Sequence, residues 1–192
     1  MTRWDVCNAR LAQFDPSRFL EIGVKTGRGA RKIRADLKFG VDPVPLLPTP
    51  GYTKLYIQTS DEFFASQKGY LNLSVVLVDG LHHWDQVLRD ILNSVSHLNP
   101  GGTVVVHDCN PPDEGSQVVP RQQGHWNGDC WKAIVHLRAT RPDLRVYTLD
   151  ADEGLGIITW GRNERLIPEP KELTWAGLVK NRVEWLGLVP CP

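Results

Sequence analysis

The sequence predicts an α/β protein: a Rossmann-like three-layer sandwich in which helices cover both faces of a mostly parallel sheet. Three observations carry this reading. Short apolar runs alternate with amphipathic stretches along most of the 192 residues, the pattern of repeated strand–helix–strand units. The strongest run, Leu73 to Val78, is apolar apart from Ser74, as a strand covered on both faces should be. The composition, 41% hydrophobic and 23% charged, is that of an ordinary globular domain and not of a disordered chain.

Arg18 to Ile22 reads as the first strand and Gly23 to Gly29 as a turn. Arg28 to Leu37, rich in Arg, Lys and Ala, reads as a helix. The segment before Arg18 is short and leaves little room for a lid. Phe39 to Asp42 is a second strand, stopped by Pro43. Pro43, Pro45, Pro48 and Pro50 predict a loop where a crossover helix would otherwise stand. Leu55 to Gln58 is a third strand, and Ser60 is placed to cap a helix over Asp61 to Gln67.

After the Leu73–Val78 strand, Trp84 to about His97 carries Val87, Leu88, Ile91, Leu92 and Val95 at helical spacing. Asn99-Pro100-Gly101-Gly102 breaks that helix, and Thr103 to Val106 is the fifth strand. Residues 109–128 are polar and rich in Gly, Pro and Gln, a long surface loop. A helix from Asp129 to about Thr140 leads to Arg145–Leu149 and Gly156–Trp160, a closing antiparallel hairpin. Lys171 to Leu186 is a last helix outside the core. The chain therefore divides into a domain over 1–165 and an extension over 166–192, which packs on that domain or on a partner subunit, as in a homodimer.

Charge and cysteine usage exclude several classes. Lys+Arg and Asp+Glu balance at 22 each, so no global field favours nucleic acid or an anionic membrane. No apolar run approaches the roughly 20 residues needed to span a bilayer. Cys7, Cys109, Cys130 and Cys191 are scattered, and Met1 to Asp5 lacks the apolar core of a secretion signal. A cytoplasmic location is expected.

In an open α/β sheet, ligands bind beyond the carboxyl ends of the strands, and here those ends are polar. The first runs into Glu21-Ile22-Gly23-Val24-Lys25-Thr26-Gly27-Arg28-Gly29. Glycines allow close backbone approach to a ligand, or simply reverse the chain. The spacing is not that of a dinucleotide fingerprint, and an acidic residue precedes the first glycine. A ligand bearing an ammonium and a carboxylate suits that loop better than a pyrophosphate. Asp42 ends the second strand, where a carboxylate accepts ribose hydroxyls or is simply solvated in a turn.

Glu21-x-Gly23-x-x-x-Gly27-x-Gly29, Gly40-Val41-Asp42-Pro43, Val78-Asp79-Gly80-x-His82 and Pro100-Gly101-Gly102-x-x-x-x-His107-Asp108 resemble the class I S-adenosylmethionine-dependent methyltransferases. The closest branch is the compact methyltransferase domain of sugar and natural-product pathways, over roughly residues 17–160. The resemblance implies a seven-stranded sheet and S-adenosylmethionine as cofactor. It places Glu21 and the loop of Gly23, Lys25, Thr26 and Gly27 at the methionine moiety, Asp42 at the ribose, and Thr59, Ser60 or Asp61 near adenine. Asp79 joins them as a cofactor contact. Lys25 stands where many members have a glycine, so it either meets the cofactor carboxylate or clashes with it.

Methyl transfer to a hydroxyl requires in-line alignment and a weakened O–H bond. Asp79, His82, His83, His107, Asp108, Asn110 and His125 all fall at or after the ends of the fourth and fifth strands. His82 or His107 is the expected general base, with Asp108 beside them. His83, next to Trp84, is the one expected to start a helix. Similarity to metal-dependent catechol-type methyltransferases offers another route. There, Asp79, Asp108 and Asn110 would hold a divalent metal such as magnesium, whereas histidine ligands would suit zinc, iron or manganese. Trp126 and Trp131 either stack on a substrate ring or, for Trp131, pack the helix capped by Asp129. The expected activity is O-methylation of a small-molecule acceptor, a sugar or natural product. The alternatives are a nicotinamide oxidoreductase, disfavoured by the glycine spacing, and a non-catalytic binding domain.

Overall fold

The computed structural model describes every residue of the chain except Leu47, Arg165 and Pro192. It begins with α1 (Arg3–Leu11), β1 (Arg18–Ile22), α2 (Arg28–Lys32), β2 (Leu37–Val41), β3 (Lys54–Tyr56) and α3 (Ser60–Ala65). The centre holds β4 (Leu73–Val78), α4 (Trp84–Val95) and β5 (Leu98–Val106). The C-terminal part adds α5 (Glu114–Gln117), α6 (Trp131–Thr140), β6 (Leu144–Asp150), β7 (Leu155–Trp160), α7 (Trp175–Leu186) and β8 (Leu188–Pro190).

One sheet joins all the strands in the order β3-β2-β1-β4-β5-β7-β6-β8. The pairs from β3 through β5 are parallel, and β7 runs antiparallel to both β5 and β6. The expected hairpin is present, and the seven expected strands are joined by an eighth, because β8 pairs in parallel with β6. Chain order reverses between β1 and β4, which makes their carboxyl ends the switch point where this architecture leaves a crevice.

All six residues of β4 are buried. Its side chains alternate, with Val76 and Val78 facing one apolar cluster and Val75 and Leu77 the other. Each such side chain contributes about 1.5–3 kcal/mol by leaving water, so the strand fixes both layers. On one face α4 docks through Val87, Ile91 and Val95, while Leu92 turns outward. On the other, Val6, Cys7 and Leu11 of α1 pack beneath β4 and β5.

Several expected boundaries move, for local reasons. α2 stops at Lys32 because Ile33 is already extended, and Leu37 opens β2 instead of closing a helix. Thr59, not Ser60, caps α3, in a reciprocal capping box with Glu62. No helix joins β2 to β3; the proline-rich segment folds back over the glycine loop, where Leu46 N–H donates to the Lys25 carbonyl (2.7 Å). α7 packs Leu178 and Leu186 on Trp131 and Val135, so the C-terminal segment closes on α6 of the same chain. All four cysteines are free. Among the described residues no helix is long and apolar enough to cross a membrane.

Candidate active site

A cavity of about 890 Å³ opens at the β1/β4 switch point, lined from the ends of β1, β2, β4 and β5. That volume lies within the range of small-molecule and cofactor pockets. Glu21, Gly23, Lys25, Thr26, Asp42, Ser60, Asp79, His82, His107 and Asp108 all line it. Gly27 does not: it starts α2 in the left-handed conformation, and a Cβ there would meet Thr49.

The glycines of the loop owe their identity to protein neighbours. Gly23 has φ +92°, and a Cβ on it would run into the backbone of Asp79 and Gly80. A Cβ on Gly29 would strike the Glu21 carboxylate. The loop is thus packed edge to edge against β4, which brings the Glu21 and Asp79 sides of the cavity together.

Glu21 is only 4% exposed and receives the hydroxyl of Tyr52, delivered by the proline-rich loop. Burial, only partly offset by that hydrogen bond, pushes its carboxyl up to about 7. Asp42 braces the same loop: its Oδ2 accepts the N–H groups of Val24 (2.9 Å) and Lys25 (2.8 Å), and its Oδ1 that of Val44 (2.8 Å). Three of the roughly four acceptor positions of a carboxylate are thereby used. At the far end, Gln86 bridges Ser60 (3.2 Å) and the buried Asp90 (3.0 Å), whose carboxyl burial pushes up to about 6.

Opposite, the ends of β4 and β5 assemble a charged cluster. His82 reaches Asp79 Oδ1 through Nε2 (3.5 Å) and Asp108 Oδ2 through Nδ1 (3.3 Å). His107 Nδ1 lies 2.9 Å from the same Asp108 oxygen, and Asn127 donates to the other at 2.7 Å. One ligand atom from each of Asp79, His82 and Asp108 can be chosen so that all lie within 4.8 Å of one another, close enough for one cation. Asp108, Asp152 and Glu153 hold left-handed backbone conformations (φ 64°, 46° and 64°). Such strain of about 1–3 kcal/mol per residue tends to concentrate at functional sites.

The electrostatics sort the two histidines. Burial alone would lower His107, but the carboxylates of Asp108, Asp152 and Asp79 gathered around it push it up to about 11. Burial would raise Asp79, yet His107, His82 and Arg3 hold it well below the usual carboxylate range. Arg3 Nη1 also lies 2.6 Å from His107 Nε2, and a guanidinium can only donate, so that contact needs a neutral ring. With three carboxylates around His107 against one guanidinium, the charged ring is favoured. A ring held charged is a poor proton acceptor near neutral pH. His82, also raised, is the more open of the pair, at 18% side-chain exposure against 8%.

The sequence profile of a family described as "Methyltransferase domain" matches residues 10–109, just over half of the chain. The chain belongs to this family. Its curated relatives include an uncharacterized protein, y4gI, of Sinorhizobium fredii, 28% identical over 119 residues. That match spans 61% of this chain but only 11% of the relative's length. Among solved structures, the S-adenosylhomocysteine-bound methyltransferase PaMTH1 of Podospora anserina has a TM-score of 0.60 at 17% identity, covering 82% of this chain and 76% of its own. The O-methyltransferase TomG of Streptomyces achromogenes, in complex with S-adenosylmethionine, gives 0.56 at 14% identity, covering 82% and 77%. At such identities the likeness is one of fold.

In this methyltransferase-domain chain the family match ends at Cys109, yet several cavity residues lie outside it. Arg3 enters from α1, and Trp126 from the 109–128 loop stacks on His82 with centroids 5.2 Å apart. Glu153 comes from the β6–β7 turn and contacts His125, while its neighbour Asp152, behind the cavity wall, contacts His107. Arg3 was findable: Thr2-x-x-Asp5 is a capping box that announces α1. Trp131, by contrast, is wholly buried against α7, and Asp129 accepts the Trp84 N–H at the start of α4 instead of capping its own helix. His83 is the residue preceding α4.

Asn110 is the clear correction. Its side chain points to Asp150 (3.1 Å) and Arg182 (2.5 Å), outside the cluster. Asp108 is left-handed and Asn110 does not line the cavity; His82, not Asn110, lies beside Asp79 and Asp108.

Proposed function

We propose that the chain is an S-adenosylmethionine-dependent methyltransferase that methylates a hydroxyl of a small molecule, a sugar or natural product. The observation that carries this reading is one cavity flanked by two chemically different walls: Glu21, Lys25 and Asp42 on one side, and the Asp79–His82–Asp108 cluster on the other. PaMTH1 and TomG, which share the fold, bind S-adenosylhomocysteine and S-adenosylmethionine.

The residues fit the cofactor. A carboxyl raised to about 7 by burial becomes an anion readily when an ammonium arrives, and no ion pair to Glu21 exists among the described residues. Lys25 suits the cofactor carboxylate, the last acceptor position of Asp42 a ribose hydroxyl, and Ser60 with Gln86 and Asp90 the polar edge of adenine. Bound S-adenosylmethionine supplies an electrophilic methyl group on a sulfonium, which an acceptor oxygen displaces in line.

A divalent cation also fits. His82 Nδ1, beside Asp108, is buried with no hydrogen-bond partner. Asp79, His82 and Asp108 would hold the ion, and its charge would lower the pKa of a coordinated acceptor hydroxyl. Two carboxylates and an imidazole suit manganese or iron better than magnesium. A second reading rests on the greater openness of His82: it takes the acceptor proton itself, oriented by Asp79 and Asp108. In both readings Trp126 roofs the acceptor side, and Asn127 fixes the Asp108 carboxylate.

Calorimetry with S-adenosylhomocysteine and with NAD, each with and without Mn²⁺, tests the proposal. Binding of S-adenosylhomocysteine but not NAD is expected. Binding of NAD alone would overturn it, and binding of neither would leave a non-catalytic member of the fold.

A further inference from the structure

Arg3 stands where a cation is wanted. From the first turn of α1 its Nε lies 3.3 Å from Asp79 Oδ2, and its Nη1 lies 3.1 Å from Asp152 Oδ2. Its backbone N–H also donates to Asp152 (2.7 Å), and its guanidinium rests 4.8 Å from the centre of the Trp4 ring. Asp79 is therefore shared: Oδ2 faces Arg3, while Oδ1 faces His82 and His107. An arginine and a metal ion that both need Asp79 compete for the same oxygens and repel each other at this range.

The cluster is not satisfied with Arg3 in place. Arg3 Nε, His82 Nδ1 and His107 Nδ1 are all buried with no hydrogen-bond partner, although carboxylate oxygens lie 2.9–3.3 Å away. These contacts are close but badly aligned, which is the mark of groups gathered for charge and not for mutual hydrogen bonding. His107, 7% exposed, is aimed into the cavity.

The helix is also divided in how firmly it is held. Val6, Cys7 and Leu11 are buried in the apolar layer beneath the sheet. The first turn is held by the surface-exposed capping box of Thr2 with Asp5, by the Val6 N–H to the Thr2 carbonyl (3.1 Å), by the partly buried Trp4 and by the ties of Arg3 to Asp79 and Asp152. The ties from this turn to the cavity run through Arg3, whereas Val6, Cys7 and Leu11 anchor the rest of α1 without it.

We propose that Arg3 is a built-in cation for the Asp79–His82–Asp108 cluster, and that docking of the first turn of α1 and binding of a divalent metal exclude one another. A metal-free protein keeps Arg3 against Asp79 and Asp152. Metal binding displaces the guanidinium, frees the acceptor side of the cavity and leaves Thr2–Asp5 exposed. The proposal rests on the cation reading of the cluster but needs neither methyl donor nor acceptor for its test.

Mn²⁺ titration by calorimetry of the wild type, Arg3→Gln, Arg3→Lys and Arg10→Gln is the experiment, paired with hydrogen exchange of wild-type residues 2–5. Arg10 carries the same charge on the same helix but hydrogen-bonds Tyr147 outside the cluster. Arg3→Gln is expected to bind Mn²⁺ at least tenfold more tightly than the wild type, Arg3→Lys to fall between them, and Arg10→Gln to match the wild type within twofold. Mn²⁺ is expected to speed exchange at residues 2–5 of the wild type, a readout that needs no variant to fold. Equal affinities of wild type and Arg3→Gln, or Mn²⁺ binding with unchanged exchange at residues 2–5, would overturn the exclusion and leave the metal site standing. No binding to any of the proteins would remove the metal site and the proposal together.

Discussion

The Trp126 indole stacks on the His82 imidazole, with ring centroids 5.2 Å apart and planes 13° from parallel. Its N–H is anchored on the Val118 carbonyl at 2.6 Å, so the ring is placed by the loop and not by a ligand. Trp126→Ala is expected to raise the KM for the acceptor roughly threefold to tenfold, the worth of one ring contact. Affinity for S-adenosylhomocysteine should stay within twofold. Steady-state kinetics and calorimetry separate the two; an unchanged KM would take Trp126 out of the acceptor site.

Gly23 tests the packing origin of the glycine loop. With φ +92° and the Asp79 backbone in the way of a Cβ, Gly23→Ala has no flexible side chain to push aside. A loss of about 3 kcal/mol or more is expected, roughly a 6–12 °C fall in Tm for a chain of this size. Gly69→Ala, with nothing within 4 Å of its Cβ position, should leave Tm nearly unchanged. Urea and thermal denaturation of the pair check this, and equal behaviour would contradict it.

Glu21 sets a pH dependence of stability. Its carboxyl sits at about 7 in the folded chain against an ordinary 4.5. Between those values the folded state keeps a proton that the unfolded state has released, so stability falls as pH rises through that window and the full cost is present above pH 7. Glu21→Gln removes the cost, and Gln can still accept the Tyr52 hydroxyl. The variant should match the wild type below about pH 4.5 and exceed it by on the order of 3 kcal/mol at pH 8, while losing affinity for S-adenosylhomocysteine. Denaturation at both pH values measures the gap; a constant gap would contradict the assignment.

The proposed cation site at Asp79, His82 and Asp108 makes a prediction about metal. Treatment with a chelator should lower kcat at least tenfold, and Mn²⁺ should restore it more fully than Mg²⁺. Asp108→Asn should abolish that rescue. Asn110→Ala, which severs a tie to Arg182 outside the cluster, should leave Mn²⁺ affinity unchanged while lowering Tm. Turnover indifferent to chelation would leave His82 as sole base.

Much of this architecture was legible because burial writes itself into period. Leu73–Val78 is apolar at nearly every position because both faces are covered, and the spacing of Val87, Ile91 and Val95 follows the helix that covers one of them. The polar strand ends were legible for the same reason: nothing in the core required Asp42, Asp79, His82 or Asp108. What could not be read depends on long-range placement. Tyr52 arrives at Glu21 from a loop whose path carries no period, and Asp152 reaches His107 from a tight turn. Asn110 sits beside Asp108 in sequence, but a single left-handed residue sends its side chain the other way. β8 is three residues long, too short to show any alternation.

A crystal structure of the protein with saturating S-adenosylhomocysteine should show the amino group at Glu21, the ribose at Asp42 and the sulfur facing Asp79 and His82. Density for the ligand outside this cavity, or a cavity left vacant in the presence of saturating ligand, would contradict this placement.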